Sequence, residues 1–123
     1  MKYDIILLEV RTMKEETHTM CPKFENAFSL LGKRWTGLII NVLLDGPKRF
    51  KEIAGEITQM SDRVLAERLK ELEESGIVVR HVYPETPVRI EYVLTEKGKG
   101  LEKVMIQVQE WAEDWIELTP VEK

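Results

Sequence analysis

The chain is poor in several features that would each settle its class. It has one cysteine, Cys21, in 123 residues, so no disulfide can form within it. Its two histidines, His18 and His81, lie far apart, and no group of ligating residues has metal spacing, so no metal is expected. No glycine-rich phosphate loop occurs. Neither Ser61 nor Cys21 has a base beside it in sequence, so neither an enzyme nor a cofactor is expected. Long apolar runs are missing too. Residues 1–11 are apolar only briefly, with Asp4 and Glu9 inside the stretch and no small-residue cleavage site, which reads as neither a signal peptide nor a membrane span. The expectation is a soluble, cytoplasmic protein with no membrane partner. There is no internal repeat and no low-complexity segment.

What is present suits one small domain with a core of useful size. Hydrophobic residues make up 43% and charged residues 33%, too apolar for a disordered chain. The formal net charge is −4, which by itself argues weakly against nucleic acid. The distribution matters more. Residues 101–123 hold six acidic side chains and two basic ones, leaving 16 of each before them. The first hundred residues are therefore neutral and free to present a local basic face.

The pattern along the chain is mostly helical. Residues 1–20 read as an extension, with a short strand or helix turn at 5–10 and a polar linker at 13–20. Cys21-Pro22 marks a helix start, since proline suits the first helical position. Phe24, Ala27, Phe28, Leu30 and Leu31 follow at helical spacing until Gly32. A second helix is predicted over 35–44, with Leu38, Ile39, Val42 and Leu43 inward, stopped by Asp45-Gly46-Pro47. A third spans 50–57, with Phe50, Ile53, Ala54 and Ile57 inward. Thr58-Gln59-Met60 makes a turn. Ser61 caps a fourth helix running to about Ser75, before Gly76 as its stop, with Leu65, Leu69 and Leu72 as its core stripe. Residues 77–83 and 88–94 are rich in β-branched and aromatic side chains and flank Pro84-Glu85-Thr86-Pro87, a hairpin tip. Thr95 then caps a long last helix reaching about Leu118, with Gly98 and Gly100 weakening its first turns. The domain is thus 21–118, followed by a tail at 119–123.

The order of elements carries the functional reading. Two short helices around a three-residue turn, followed by a hairpin, form a winged helix-turn-helix, an α+β fold with a long C-terminal dimerisation helix. At about 100° per residue, the face opposite the three leucines holds Arg63, Glu67, Lys70 and Glu74, flanked by Ala66. Arg63 lies in the first turn, where a guanidinium can donate two hydrogen bonds to guanine. Ala66 permits close approach to double-stranded DNA. Lys70 suits phosphate, and Glu67, awkward near phosphates, can accept from a cytosine amino group; the alternative is that Arg63, Glu67 and Lys70 form a solvated face of i,i+4 and i,i+3 ion pairs. Ser61 stands at the helix start, where backbone N–H groups meet phosphate. Lys48, Arg49 and Lys51 open the preceding helix and suit phosphates as well. Arg80 and Arg89 lie on the two wing strands. They either enter or clamp the minor groove or pair across the strands with Glu91 or Glu85.

Residues 21–115 resemble the HxlR-type winged-helix transcriptional regulators, a branch near the MarR group. The matching pattern is Cys21-Pro22, Leu31-Gly32-Lys33-Arg34-Trp35, Gly46-Pro47-Lys48-Arg49-Phe50-Lys51-Glu52-Ile53, the run from Leu65 to Ile77, Arg80, Tyr83-Pro84 with Pro87, Glu91-Tyr92-Val93-Leu94-Thr95, Gly98 and Trp111. It covers about four-fifths of the chain in collinear order. The resemblance implies a homodimeric regulator that binds an operator. Asp62 and Glu67 on the recognition helix and the 20-residue extension depart from the family pattern. A different class, a winged-helix module that binds protein without DNA, is the alternative.

The homodimer also follows from residues. Leu101, Val104, Met105, Val108, Trp111, Ala112, Trp115 and Leu118 make a stripe too broad for a small core to cover. With Phe24, Phe28 and Leu31 of the first helix, it can be buried between two copies. Cys21 is the candidate sensor. It stands at a helix start near Lys23, where partial positive charge attracts a thiolate. In some members of the family that the chain resembles, a cysteine at this position responds to oxidants or electrophiles by an intersubunit bond or an adduct; the alternative is an inert cysteine in a helix-capping position. A small-molecule or electrophile effector is thus a further expected partner.

Overall fold

The computed structural model describes residues 21–118. The element expected at 5–10, the linker at 13–20 and the tail at 119–123 lie outside the described residues. The chain divides into two compact units, Met1–Lys33 and Arg34–Lys123, each treated by itself below.

In the first unit, helix α1 spans Pro22–Leu31. Cys21 is its N-cap in extended backbone, with proline at the first helical position, where its missing N–H costs nothing. The helix ends at Gly32, whose N–H donates to the Phe28 carbonyl at 2.8 Å. No residue of α1 is buried. Phe24 and Phe28, one turn apart, meet edge to face with ring centroids 4.8 Å apart.

The second unit runs α2 (Thr36–Leu43), α3 (Phe50–Glu56), α4 (Asp62–Glu74), β1 (Val78–Tyr83), β2 (Arg89–Leu94), α5 (Glu96–Lys99) and α6 (Glu102–Trp115). Its core is Ile39, Ile40 and Leu43 from α2, Ile53 of α3 with Ile57 and Met60 from the turn after it, Leu65, Leu69 and Leu72 from α4, and Ile77, Val78 and Leu94 around the hairpin. Burying such side chains supplies about 1.5–3 kcal/mol each. One expectation for α2 is corrected. Leu38 is exposed, and Ile40 takes the inward place. The helix is apolar nearly all round, so its composition does not distinguish the two faces.

The long last helix is also corrected. Residues 96–99 form one short helix and 102–115 another, with Gly100 and Leu101 between them. Gly98 and Gly100 each cost a helix about 1 kcal/mol relative to alanine. Gly98 is moreover wedged into the hairpin base, where a Cβ would collide with the Ile77 carbonyl oxygen and the Leu94 side chain. The helix stops at Trp115, because Ile116 is extended. Its last turn has no basic residue to offset the negative dipole end, while Glu113 and Asp114 lie there. No helix among the described residues is long and apolar enough to cross a membrane.

The hairpin is antiparallel, in register from Val78 opposite Leu94 to Tyr83 opposite Arg89. Lys48 extends it on the β2 side. Its N–H donates to the Tyr92 carbonyl at 3.1 Å and its carbonyl accepts from Tyr92 at 2.7 Å. The loop that leads into α3 is thereby joined to the wing.

Candidate nucleic-acid interface

α3 and α4 are joined through Ile57 and Met60, both buried, so the turn between them is packed from below. Ser61 caps α4, its hydroxyl oxygen accepting from Val64 N–H at 3.1 Å. Leaving this bond unmade costs about 1 kcal/mol of helix stability, so the Ser61 oxygen already has structural work. The other end of α4 closes on Gly76 at φ +78°, a left-handed position that favours glycine. There Ile77 N–H donates to the Leu72 carbonyl at 2.9 Å and Gly76 N–H to the Glu73 carbonyl at 3.0 Å. The Lys97 ammonium adds a bond to the Ser75 carbonyl at 2.6 Å, and the Thr95 hydroxyl donates to the Gly76 carbonyl at 2.6 Å. The helix is held firmly at both ends.

Leu65, Leu69 and Leu72 are essentially fully buried. Their opposite face is open: Arg63, Ala66, Glu67, Lys70 and Glu74 are all exposed, as the periodicity predicts. The Arg63 side chain is 88% exposed, and its Nε lies 3.7 Å from a Glu67 oxygen. Glu67 therefore sits against an arginine of its own helix. Lys70 and Lys51 are exposed and have no ion pair among the described residues. Arg49 is exposed, and its backbone N–H donates to Glu52 at 2.8 Å, which fixes the start of α3. Lys48 is more enclosed, at 21% exposure, and pairs with Glu56 at 3.5 Å.

The wing arginines differ. Arg80 is exposed, opposite Tyr92, with no ion pair among the described residues. Arg89 is spent inside the hairpin. Its Nε and Nη2 donate to the two oxygens of Glu85 at 3.2 and 2.9 Å, and Nη1 to Glu91 at 2.7 Å. Its guanidinium carbon lies 3.9 Å from the Tyr83 ring centroid. The pairing reading, left open above, is the arrangement found here. The Arg89 hydrogen bonds hold the Glu85 carboxyl below its ordinary range against a smaller opposing cost of desolvation, with weaker help from the charges of Arg89 and Arg49. The guanidinium of Arg89 is correspondingly harder to deprotonate, chiefly through Glu85.

Sequence reading missed one polar residue of α4. Arg68 Nε donates to the Arg34 carbonyl at 3.0 Å, thirty-four residues away, and its side chain is only 18% exposed. The signal was available: Arg68 stands at i+3 from Leu65, on the inward side of the stripe.

None of the residues assigned to association is buried, and most are exposed. In α1 these are Phe24 and Phe28, with Leu31 half-buried. In α6, Val104, Val108, Trp111 and Trp115 are exposed, the last two at 59% and 72%, while Leu101 and Met105 are half-buried. Lys103, Val104, Gln107, Val108 and Trp111 line a shallow, mostly apolar groove along α6. Cys21 is exposed.

A helix-turn-helix with a charged, open second helix and a hairpin wing defines a winged-helix DNA-binding protein. Residues 30–120 match the HxlR-like helix-turn-helix family, and the chain belongs to it; it is a DNA-binding transcriptional regulator. It is 62% identical over 100 residues to the HTH-type transcriptional regulator YodB of Bacillus subtilis, covering 81% of this chain and 89% of that one. The reduced form of YodB from B. subtilis superposes with a TM-score of 0.74 at 60% identity, covering 83% of this chain and all of that one. YodB is also solved after diamide treatment and with quinone bound. The redox regulator HypR in its oxidized form matches with a TM-score of 0.74 at 38% identity, covering 80% of this chain and all of that one.

Proposed function

We propose that the chain acts as a homodimer that sets α4 into the major groove of an operator and releases it when Cys21 is modified. The open, Arg63-bearing face of α4, opposite three buried leucines, carries the DNA part of this reading. Arg63 reads a base, Lys70 and the exposed Arg49 and Lys51 meet phosphates, with Lys48 in a lesser part, and Ala66 admits close approach. Arg80 is the wing's outward cation. Two copies associate through the apolar face of α6 and through Phe24 and Phe28, which supports half-sites about one helical turn apart.

The redox part is supported by the diamide- and quinone-treated forms of YodB together with an exposed Cys21 in a chain with no other cysteine. With diamide, the Cys21 thiols of two subunits each give up one hydrogen to the N=N bond. A disulfide forms and diamide is reduced to a hydrazine. With a quinone, the thiolate adds to a ring carbon, a C–S bond forms and the ring takes up a proton to become a hydroquinone adduct.

The test is selection of bound sequences from random duplexes, followed by binding of variants. Arg63→Ala is expected to cost about 1–3 kcal/mol on the selected site and to relax preference at one base pair. Diamide or quinone is expected to lower the affinity of the wild type and not of Cys21→Ser. An Arg63→Ala protein that binds like wild type overturns the reading role of α4. Equal responses of wild type and Cys21→Ser overturn the sensor.

A further inference from the structure

We propose that Arg68 is a positioning residue for DNA reading: it fixes α4 against the turn that precedes α2 and, through Glu67, orients Arg63. The inference rests on the reading of DNA by α4. The Arg34 carbonyl accepts from a side chain of a distant helix. The first backbone bond of α2 runs from Ile39 N–H to the Trp35 carbonyl, so the Arg34 carbonyl, one residue earlier, lies outside the helical ladder. Trp35 is left-handed at φ +77°, a conformation that a bulky side chain adopts only where its surroundings impose it. One constraint is local: the Arg34 guanidinium stacks on the Trp35 ring at 4.5 Å. The other comes from α4, in the bond from Arg68 Nε to the Arg34 carbonyl at 3.0 Å.

The same guanidinium turns its Nη1 toward carboxylates, 3.5 Å from Glu71 and 3.9 Å from one oxygen of Glu67. The second oxygen of Glu67 faces Arg63 Nε at 3.7 Å. A polar chain thus runs from the Arg34 carbonyl through Arg68 and Glu67 to Arg63, whose side chain is open to solvent. The leucine stripe seats α4 but is non-directional and tolerates small rotations. The bond from Arg68 is directional and sits beside that stripe, so it selects one rotation. Lysine cannot replace it. A single ammonium does not reproduce a planar fork that serves a carbonyl and carboxylates at once. Glu67, an odd choice near phosphates, is explained as the link that aims Arg63.

The experiment uses Arg68→Lys and Arg68→Ala in the full-length protein, alone and combined with Arg63→Ala. Affinity is measured for the selected site and for a random duplex, and hydrogen exchange is followed at residues 34–39 and 62–67. Arg68→Lys is expected to weaken the selected site about tenfold while leaving the random duplex and the salt slope unchanged. In the Arg63→Ala background the same change should cost less than about threefold, because the two act as one unit. Exchange should quicken in both segments while the Leu72 amide keeps its protection. Equal losses on both duplexes, with a salt slope reduced by about one in Arg68→Ala, make Arg68 a phosphate contact and overturn the proposal. A fully additive double variant overturns it, as does unaltered exchange. If Arg63→Ala itself binds like wild type, the fault lies with the reading role of α4, and exchange alone then decides whether Arg68 holds the turn. Should Arg68→Ala not fold, Arg68→Lys carries the test.

Discussion

α4 and α6 are helices of nearly equal length, each with a clear apolar stripe, yet they end in opposite states. In α4 the stripe is closed over by its own unit, with Leu65, Leu69 and Leu72 out of solvent. In α6 no residue is buried, and two tryptophans stand in water. Amphipathic spacing shows that a helix has a face to hide, but not what hides it. The polar sides differ as well. On α4 the charged face is kept open by a helix pinned at both ends. On α6 the polar side is acidic, unsuited to phosphates, and the apolar side is left uncovered within the chain. One helix is fixed with its charged face outward, while the other keeps its apolar face exposed, as the proposed association requires.

This contrast can be broken by mutation, most severely at α4. Leu69→Ala should cost about 2–5 kcal/mol of unfolding free energy, because the deleted methyl groups leave a cavity in a closed core. Urea denaturation read by circular dichroism measures it. If Leu69→Ala unfolds no more easily than wild type, the core of this unit has been misplaced.

The matching change on α6, Trp111→Ala, should leave the unfolding of an isolated subunit within about 0.5 kcal/mol. It should instead weaken self-association by about 2 kcal/mol, roughly thirtyfold. Sedimentation over a range of concentrations separates the two effects. A wild type that sediments as a monomer at micromolar concentration removes the role assigned to this face.

A finer comparison lies within the basic residues. Lys51 is open and Lys48 is already paired with Glu56, so Lys51→Ala should reduce the slope of log affinity against log salt by about one, and Lys48→Ala by visibly less. Equal slopes for the two variants would show that the Lys48–Glu56 pair opens on DNA.

The smallest effect concerns the wing. Glu85 titrates below its ordinary value of 4.5 because of Arg89. A carboxyl lowered on folding contributes stability above its unfolded value, and that contribution is lost as pH falls through the folded one. Acidification below about pH 4.5 should therefore loosen the wing tip while the α4 core stays folded. Carboxyl and guanidinium NMR signals of Glu85 and Arg89 report it, and Arg89→Lys should move the Glu85 midpoint upward. An unmoved midpoint would deny Arg89 its place as the strut of the wing.

Much of this was legible from residue order. Ser61 as cap, leucines at 65, 69 and 72 and Gly76 as terminator are local signals, and each acts within a turn or two of helix. The open face of Arg63, Ala66, Glu67 and Lys70 follows from the same periodicity. The hairpin followed from β-branched runs around a proline-rich tip. What was not legible depends on distant partners. Leu38 and Ile40 are equally apolar, and only the packing of α2 chose between them. Gly98 and Gly100 announce a weak start to the last helix, but that Gly98 lies against Ile77, twenty-one residues away, is set by the fold.

The sequence by itself determined the succession of elements, the winged helix-turn-helix they build and the side of α4 that faces outward, because helical period, caps and turn residues act over short stretches of chain. Tertiary structure alone decided which charges remain available. Arg89 and Arg80 look alike on their strands, yet Arg89 is consumed by Glu85, Glu91 and Tyr83 while Arg80 stays open. The place of Arg68 beside the leucine stripe is legible in the sequence, but its partner, the Arg34 carbonyl, is brought to it only by the fold. Arg89 finds its partners within six residues once the hairpin tip folds back, whereas Arg68 reaches across thirty-four; in both, a charge is satisfied by what the folded chain places within about 4 Å.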